Sequence, residues 1–286
     1  RSKALTASLL LTGGALGGYI GYSRVLPAFA NSSCVVNDPG LGAGNSTDKT
    51  LAYCINTSTA GGTITFDPFY VSRIEMSTTP FTIDKSLTID GYVTVDGGGA
   101  SRVVFDGNGN RVFNVTGGPV TFKDLEITDA YNNSTGGAII ASGGVGAEVD
   151  LTLQGVKGYK NVAVGKGSFL STDGDVTLEK SADFSNTFQQ TSYTLTAYAG
   201  GSIYAGGDII VSYSSFEGYG IGVGPGGAIA AAGDVTLNAG SVFTGNYSQG
   251  YGGAVSGANV YVNAGSFTSN YAKRYGGAIY ATNSVV

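Results

Sequence analysis

The chain has 286 residues, of which 48 are glycine, and 42% of its residues are hydrophobic. So much glycine without a collagen-like triplet, beside this apolar content, excludes both a disordered chain and a helical bundle. The net charge of -5 is not arranged in blocks, so nucleic acid is not an expected partner, and the lack of histidine excludes serine–histidine catalysis and histidine-ligated metals.

The first thirty residues differ from the rest of the chain. Two basic residues, Arg1 and Lys3, precede an apolar, uncharged run from Ala4 to Tyr22, and Ala28-Phe29-Ala30 matches an A-x-A cleavage pattern. We predict a signal peptide over residues 1–30 that is cleaved near Ala30, and therefore a secreted or cell-surface protein. Because the apolar run approaches the length that spans a bilayer, a retained membrane anchor is the alternative.

Cys34 and Cys54 are the two cysteines of the chain. In an exported protein two cysteines most simply pair with each other, so we predict a disulfide between them. On the loop-entropy model, closing a loop of about twenty residues stabilises the fold by roughly 3 kcal/mol. The disulfide would hold an N-terminal cap in place. A metal site is the weaker explanation, since the chain has no histidine to complete it.

Residues 31–135 alternate apolar and polar residues between Gly, Asp and Asn turns, as short strands do. The segments that show this are TLAYCINTSTAGGTITF, FTIDKSLTIDG, YVTVDGG, RVVFDGNGN and RVFNV. We predict an N-terminal cap followed by the first, irregular coils of a repeat structure. Within it, the oxygen donors of Asp106–Asn110 (DGNGN) loosely resemble a calcium loop, but without the rest of that pattern a solvated turn is the default.

Residues 136–286 repeat three short motifs, at a spacing of 24 to 26 residues from Gly200 onward. The first is GGAI or a variant, which begins at Gly136, Gly200, Gly226, Gly252 and Gly276, with GKGSFLS around Gly167 as a degenerate copy. The second is DVTL or a variant, which begins at Asp175, Asp208, Asp234 and Asn259. The third is centred on Phe184, Phe216, Phe243 and Phe267.

Each motif alternates as a strand does, with its apolar residues two positions apart and hence on one face. Strands this short can bury their apolar faces only by stacking on the copies before and after them. The sequence therefore predicts an all-β, right-handed parallel β-helix with three strands and 24–26 residues per coil. Around ten coils fit in residues 31–286. The glycine pairs, and Asn246 and Asn270, are expected at corners that need the left-handed region.

The motifs FTGN with GGAV, and FTSN with GGAI, resemble the F-x-x-N and GGA-I/L/V repeats of the chlamydial polymorphic outer membrane proteins and of similar bacterial β-helix repeat proteins. The match covers Gly136 to Ile279, and the full pair is clean only in the last two units. TLAYCINTSTAGGTITFD followed by LTIDG also resembles exported repeat proteins with a CSLREA-type segment, with Cys54 displaced from that pattern's cysteine. The resemblance implies a surface-exposed or secreted passenger, often adhesive and often carried by a C-terminal translocator barrel. It brings no catalytic residues.

Asp175, Asp208 and Asp234 form a predicted carboxylate ladder, one per coil, with Asn259 in the next place. Stacked about 4.8 Å apart, the carboxylates could bind Ca²⁺ or act as acid and base in glycoside cleavage. The alternative is that each one accepts hydrogen bonds from the backbone at its corner. Asn259 favours this structural interpretation, and we expect neither a metal nor another cofactor.

Four tyrosines flank the motifs of the last two coils. Tyr247 and Tyr271 follow the F-x-x-N segments, and Tyr251 and Tyr275 precede the glycine pairs, so each pair should stack on successive coils at the surface. Such aromatic residues suit the recognition of a sugar or a protein partner at low entropy cost. Bracing of a long corner is the structural alternative.

The sequence thus predicts a secreted or surface-displayed β-helical passenger or stalk, an adhesin or structural surface protein that acts through multivalent contacts. Its expected partners are host or neighbouring cell-surface proteins or glycans. Because the chain begins with Arg1 and stops at Val286 inside a repeat, we expect a longer protein that reaches the outer membrane through a C-terminal region.

The alternative function is a polysaccharide lyase or glycoside hydrolase, since parallel β-helices also carry such enzymes. Arg73, Arg102, Arg111 and Lys123 are scattered along the chain, and the sequence reveals no ionisable cluster outside the repeat registers. This favours a non-enzymatic surface protein.

Overall fold

A computed structural model describes residues 33–95, 98–144, 146–190, 199–222 and 224–286. The predicted signal peptide, residues 1–30, lies outside them. The described chain is almost all β, with about 3% helix, and its parallel sheets stack as a solenoid of about 9 turns. The predicted parallel β-helix is confirmed, with about one turn fewer than the sequence suggested.

The solenoid is built from short strands. In chain order the first elements are β1 (Cys34–Val36), α1 (Leu51–Thr57), β2 (Gly62–Phe66), β3 (Arg73–Glu75), β4 (Phe81–Asp84), β5 (Leu87–Asp90), β6 (Tyr92–Val95), β7 (Gly99–Asp106), β8 (Phe113–Gly117), β9 (Val120–Lys123), β10 (Leu125–Thr128), β11 (Tyr131–Asn132), β12 (Ile139–Ala141), β13 (Leu151–Gln154), β14 (Lys157–Tyr159) and β15 (Val162–Ala163). They are followed by β16 (Leu170–Thr172), β17 (Val176–Glu179), β18 (Asn186–Gln189), β19 (Ile203–Ala205), β20 (Ile209–Val211), β21 (Ser214–Glu217), β22 (Gly220–Ile221), β23 (Ile229–Ala231), β24 (Val235–Leu237), β25 (Val242–Thr244), β26 (Tyr247–Ser248), β27 (Val255–Val262), β28 (Ser266–Thr268), β29 (Tyr271–Ala272) and β30 (Ile279–Val285).

Apart from β6, the strands pair in parallel with their equivalents in neighbouring coils. The strands of the first and second motifs belong to one sheet, because β27 carries both motifs without a break. The strands of the third motif form a separate sheet, which runs from β28 back to β3. The register places Ile209 opposite Val235 and Phe216 opposite Phe243. Equivalent residues of successive coils therefore form ladders, as the repeat predicts.

A fourth strand of two residues follows the third motif in several coils. β22, β26 and β29 form one such sheet, and β11 and β15 form another. The sequence predicts three strands per coil and does not reveal these, because two residues are too few to show an alternation. They bear on function, since β26 and β29 begin with Tyr247 and Tyr271.

The apolar residues of the motifs point into the solenoid. Ile229 of the first motif and Val235 and Leu237 of the second are completely buried. Burial of one such side chain stabilises the fold by about 1.5–3 kcal/mol. The alternation that predicts the strands therefore also decides which residues form the core.

Stacked phenylalanines line the inner side of the sheet that the third-motif strands form. The rings of Phe188, Phe216, Phe243 and Phe267 follow one another at centroid distances of 5.0, 5.0 and 5.2 Å. The prediction that Phe184 belongs to this row is wrong, because Phe188 is the residue that pairs with Phe216. Phe184 lies in the preceding corner instead. Two phenylalanines in one short segment leave the register open until the pairing partner is known.

The glycine pairs form the corner before the first strand of each coil. Gly226 and Gly252 have φ angles of +74° and +63°, in the left-handed region that glycine enters without steric cost. The second glycine is required for a different reason, because a Cβ at Gly227 would overlap the carbonyl oxygen of Gly253 in the next coil. Two neighbouring coils can approach closely only where this side chain is missing.

The asparagines of the F-x-x-N motif hold a corner by hydrogen bonds and not by their own backbone conformation. Gly245 and Ser269, which directly precede Asn246 and Asn270, have the positive φ angles, +62° and +55°. The prediction that the asparagines adopt the left-handed region is therefore wrong. Asn246 is fully buried, and its side chain bonds to the backbone of the preceding coil.

A short helix covers the interior of the first coils. The sequence predicts strand in TLAYCINTS, but Leu51–Thr57 forms α1, with Thr50 as its N-cap. Leu51, Cys54 and Ile55 are buried, and this spacing of three and four residues is typical of one face of a helix. The strand prediction is wrong here because a helix can cover the apolar end of a coil without exposing an unpaired strand edge.

A disulfide bond joins Cys34 of β1 to Cys54 of α1. The pair expected from the sequence is thus the link that ties the capping helix to the first strand. No helix among the described residues is long and apolar enough to cross a membrane.

The YVTVDGG segment does not form a coil strand. β6 pairs antiparallel with β7, with Tyr92 opposite Arg102 and Val95 opposite Gly99. The sequence expectation is wrong at this point, because apolar–polar alternation is the same in a coil strand and in a hairpin. The hairpin brings Arg102 to the side of the coils, where it enters a charged cluster.

Candidate functional site

The four predicted tyrosines come together at one corner of the last coils, which we call the tyrosine corner: Tyr247, Tyr251, Tyr271 and Tyr275. The rings of Tyr247 and Tyr271 stack with centroids 5.7 Å apart and planes at 13°. Those of Tyr251 and Tyr275 stack at 5.7 Å and 10°. The coil register therefore aligns both pairs as their spacing predicts.

Stacking decides which parts of these tyrosines meet solvent. Tyr271 is 56% exposed and Tyr275 67% exposed, whereas Tyr247 and Tyr251 are half-buried. Because each ring covers a face of its neighbour, the row presents mainly ring edges to solvent, and Tyr271 and Tyr275 are more exposed because no later coil of this sequence covers their outer faces. The surface suits edge contacts and hydrogen bonds more than it suits a ligand that must lie between ring faces.

Two further residues extend the tyrosine corner. The ring of Tyr280 stacks on that of Tyr251, with centroids 4.8 Å apart. The Nη1 atom of Arg274 donates to the Tyr251 hydroxyl at 3.2 Å. The sequence pattern reveals neither residue, because neither recurs at the same place in the preceding coil. Together with the tyrosines they provide aromatic surface and a cation at one place.

The aspartate ladder belongs to the backbone hydrogen-bond network. Oδ1 of Asp175 accepts from the N–H of Asp208 at 2.7 Å, and Oδ1 of Asp208 accepts from the N–H of Asp234 at 2.7 Å. Oδ1 of Asp234 accepts from the N–H of Asn259 at 2.9 Å. Each carboxylate thus accepts a hydrogen bond from a backbone amide of the next coil. The aspartate ladder is therefore explained by its structural role at the corner. Among the described residues, no group of three or more acidic or cysteine side chains could hold a metal ion.

The DGNGN segment is a turn closed by its own side chains. Oδ1 of Asp106 accepts from the N–H of Asn108 at 2.9 Å, and Nδ2 of Asn110 donates to the Asn108 carbonyl at 3.1 Å. The other carboxylate oxygen of Asp106 pairs with Arg73. Both oxygens of Asp106 are therefore engaged within the protein.

A charged cluster that the sequence does not reveal lies at the corner between the second and third strands. Nζ of Lys123 is 2.7 Å from Oδ2 of Asp90 and 3.9 Å from Oδ2 of Asp124. Arg102 from the hairpin reaches the same corner, where its Nε donates to the Gly155 carbonyl at 2.8 Å. The expectation that Lys123 and Arg102 are scattered is wrong in three dimensions, because the stacking of coils and the hairpin bring them together.

Asp124 is the buried member of this cluster. It is only 2% exposed. Burial raises the pKa of its carboxyl, and Asp90 raises it further, whereas the Ser181 hydroxyl, Lys123 and Arg102 lower it. The net result is a pKa above the ordinary value for aspartate. Both catalytic acids and structural ion-pair networks show such shifts.

We expect Asp124→Asn to stabilise the protein at neutral and alkaline pH. A raised folded-state pKa means that the ionised carboxylate destabilises the folded state above that pKa. The penalty falls as pH drops through the folded pKa and is gone below the unfolded value of about 4. The melting temperature of the variant should exceed that of the parent by a few degrees at pH 8 and by nothing near pH 4, as measured by thermal denaturation at each pH.

Glu148→Gln is the matched control for this experiment. Glu148 is an exposed carboxylate, so it corrects for the general effect of removing one negative charge. If the gain in melting temperature of Asp124→Asn were constant with pH, or grew on acidification, it would contradict the raised pKa of Asp124.

Two of the clefts among the described residues have no carboxylate in their lining. One, of about 450 Å³, lies between α1 and the corner before β4, against Ile55 and Phe81. The other, of about 300 Å³, is lined by Arg111, Tyr131 and neighbouring polar residues. The Asp90–Lys123–Asp124 cluster lines neither cleft, and a Cβ at Gly155 would touch both Asp124 and the corner that contains Phe184. That corner therefore lies close to the Asp124 carboxylate.

No family model, no curated protein and no solved structure matches this chain. The resemblance to the chlamydial polymorphic outer membrane proteins therefore stays a prediction from the motifs.

Proposed function

We propose that the protein is a secreted or surface-displayed β-helical passenger that binds a partner on a host or neighbouring cell through the tyrosine corner. The observation that carries this proposal is the stacking of Tyr247 on Tyr271 and of Tyr251 on Tyr275 at one corner of successive coils. A solenoid of this kind is consistent with a surface or structural passenger.

Preorganisation is the physical basis of binding at this corner. The backbones of the tyrosines are fixed by parallel pairing between coils, Tyr247 with Tyr271 and Tyr251 with Tyr275. Side chains that are already ordered lose little conformational entropy when a ligand binds. Their hydroxyls and edges can bond to a glycan or a protein surface, while Arg274 adds a positive charge beside Tyr251.

Repetition provides the second part of the mechanism. A single coil contributes only a few weak contacts, but equivalent contacts on successive coils act on the same partner or on neighbouring copies of it. Avidity then grows with the number of coils that carry the motif. A surface protein that binds in this way needs repeated motifs, such as FTGNY and FTSNY on successive coils, and does not need a single deep pocket.

Polysaccharide cleavage on this fold is the competing hypothesis, and the Asp90–Lys123–Asp124 cluster is the group that would have to perform it. Asp124 is buried under a corner, and neither of the two clefts described above reaches it. A general acid must come within hydrogen-bond reach of the bond that it cleaves. The exposed tyrosines meet the corresponding requirement for recognition, which is why we prefer binding.

Removing the outer tyrosines tests the proposal. The double variant Tyr271→Ser, Tyr275→Ser should bind a panel of immobilised cell-surface glycans and proteins at least about tenfold more weakly than the parent, a loss of about 1.4 kcal/mol or more. Binding is measured with the full chain coupled to beads, so that avidity is kept. Tyr261→Ser, which removes a 36% exposed tyrosine from the second motif, is the matched control. Equal binding by the double variant and the control would refute the tyrosine corner as the contact surface.

A further inference from the structure

Arg111 is a half-buried cation whose guanidinium is held in one orientation. Its Nε donates to the carbonyl of Gly136 at 2.9 Å, and its Nη2 donates to the carbonyl of Thr135 at 2.5 Å. In the described part of the chain, no carboxylate lies within ion-pair distance of it. Burial lowers the pKa of Arg111, so the charge is placed here at a cost that no counter-charge of the protein offsets.

The two carbonyls occupy one edge of this guanidinium and leave another edge open. Arginine has five N–H groups in a fixed plane. With Nε and one Nη2 hydrogen engaged, the Nη1 hydrogens and the second Nη2 hydrogen remain. They form the end of the fork, whose two parallel N–H bonds match the two oxygens of a carboxylate.

Arg111 lines a cleft of about 300 Å³, at the lower end of the size range for small-molecule sites. Besides Arg111 the cleft is lined by Thr78, Asn110, Tyr131 and Asn133. Tyr131 is 44% exposed, and Thr78 and Asn133 are exposed as well. An aromatic ring beside amide and hydroxyl groups can hold the apolar and the hydroxylated sides of a sugar, and no acidic side chain is present to repel an anion.

This cleft lies at the same corner of the coil as the tyrosine corner, several coils earlier. Tyr131 begins β11 as Tyr247 begins β26. In both places the residue before the tyrosine donates its N–H to an asparagine of the next coil, Ala130 to Asn161 and Asn246 to Asn270, each at 3.0 Å. The corner that carries the stacked tyrosines at one end therefore carries a fixed cation at the other.

We propose that the Arg111 cleft binds a sugar residue that bears a carboxylate, as a subsite for an acidic surface polysaccharide. The carboxylate accepts two hydrogen bonds from the end of the Arg111 guanidinium, the sugar hydroxyls bond to the amides, and Tyr131 contacts the sugar ring. The inference rests on the proposed function, because it names the class of ligand for the same corner of the coils.

A short oligogalacturonate and its fully methyl-esterified form separate charge from sugar. Binding of each to the full chain is measured by titration calorimetry. The acid should bind, and the ester, which has the same backbone without the charges, should bind at least tenfold more weakly. Arg111→Gln should weaken binding of the acid by a similar factor. Equal affinity for the two probes, or an unchanged affinity in Arg111→Gln, overturns the proposal.

Two further variants separate loss of the site from loss of folding. Asn133→Ala removes an exposed side chain of the cleft and should weaken binding of the acid about threefold with an unchanged melting temperature. Lys157→Gln removes a cation that pairs with Glu126 and does not line the cleft, and should bind as the parent does. If Asn133→Ala and Lys157→Gln bind the acid equally well, the cleft is not the subsite.

Acetate alone distinguishes a sugar subsite from a site for any small anion. If acetate at equal concentration displaces the oligogalacturonate as well as unlabelled oligomer does, the sugar part of the proposal is overturned. The double variant Tyr271→Ser, Tyr275→Ser keeps the Arg111 cleft, so it should bind the short acid as the parent does. Loss of surface binding in that variant with no acid binding in the parent would overturn this inference and leave the proposed function standing.

Discussion

Replacing Ile229 with aspartate is expected to unfold the coil of β23 and the coils that pair with it. Ile229 is completely buried between Ile203 and Val255 of the neighbouring coils. The substitution removes its apolar contacts and places a carboxylate in the core without a partner, so it should cost more than about 4 kcal/mol. Because each coil is the pairing edge of the next, the damage should extend beyond one coil. Chemical denaturation followed by circular dichroism measures the loss.

Ile210→Asp is the matched control for this prediction. Ile210 lies in β20 of the preceding coil but is 42% exposed, so the same change there should cost less than about 1 kcal/mol. Ile229→Val keeps the site apolar and should cost about 0.5–1.5 kcal/mol. If the aspartate at position 229 were tolerated as well as the one at position 210, the assignment of inward and outward positions would be wrong.

Replacing Asn246 with leucine is expected to cost about 2–4 kcal/mol, from two buried backbone groups left without partners. In the folded protein Oδ1 of Asn246 accepts from the N–H of Tyr219 at 3.1 Å, and Nδ2 donates to the carbonyl of Phe216 at 3.1 Å. Nδ2 also donates to Oδ1 of Asn270 at 3.0 Å. Leucine fills the volume but bonds to none of them. The amide hydrogen of Tyr219 should then exchange faster with solvent than in the parent, in step with the loss of stability.

Asn263→Leu gives the comparison for an exposed asparagine ladder. Nδ2 of Asn263 donates to Oδ1 of Asn238 at 3.0 Å, but both groups can bond to water once the side chain is removed. Its cost should be below about 1 kcal/mol. If Asn246→Leu lost as little stability as Asn263→Leu, the hydrogen bonds of Asn246 would not be what holds the corner after the third motif to the preceding coil.

Recognition of the fold from sequence succeeded where the information was local and repeated. Ile229, Val235 and Phe243 each recur at a fixed distance from an equivalent residue, so alternation within a strand and spacing between coils predict the same ladder. The glycine pairs marked the corners for the same reason, because the left-handed backbone at Gly226 is a property of that residue and its neighbours. Repetition turned weak local signals into a strong one.

The predictions that failed lie where two structures share one local pattern. LAYCINT alternates well enough for a strand, yet it folds as α1 because a helix can cover the end of the first coil. YVTV forms a hairpin with β7 in place of a coil strand, and Phe188 takes the place that the motif suggested for Phe184. In each case the choice depended on a pairing partner distant in the sequence.

The sequence by itself determined that this protein is a parallel β-helix, which side chains face inward, and which tyrosines align on successive coils. Those properties follow from a repeat, since residues with the same surroundings in sequence acquire the same surroundings in space. Only the tertiary structure decided that Lys123, Arg102 and Asp124 meet at one corner, and that Arg111 faces a polar cleft on the corner used by the tyrosines. These residues occur once each and come from different coils, so only the winding of the chain brings them together.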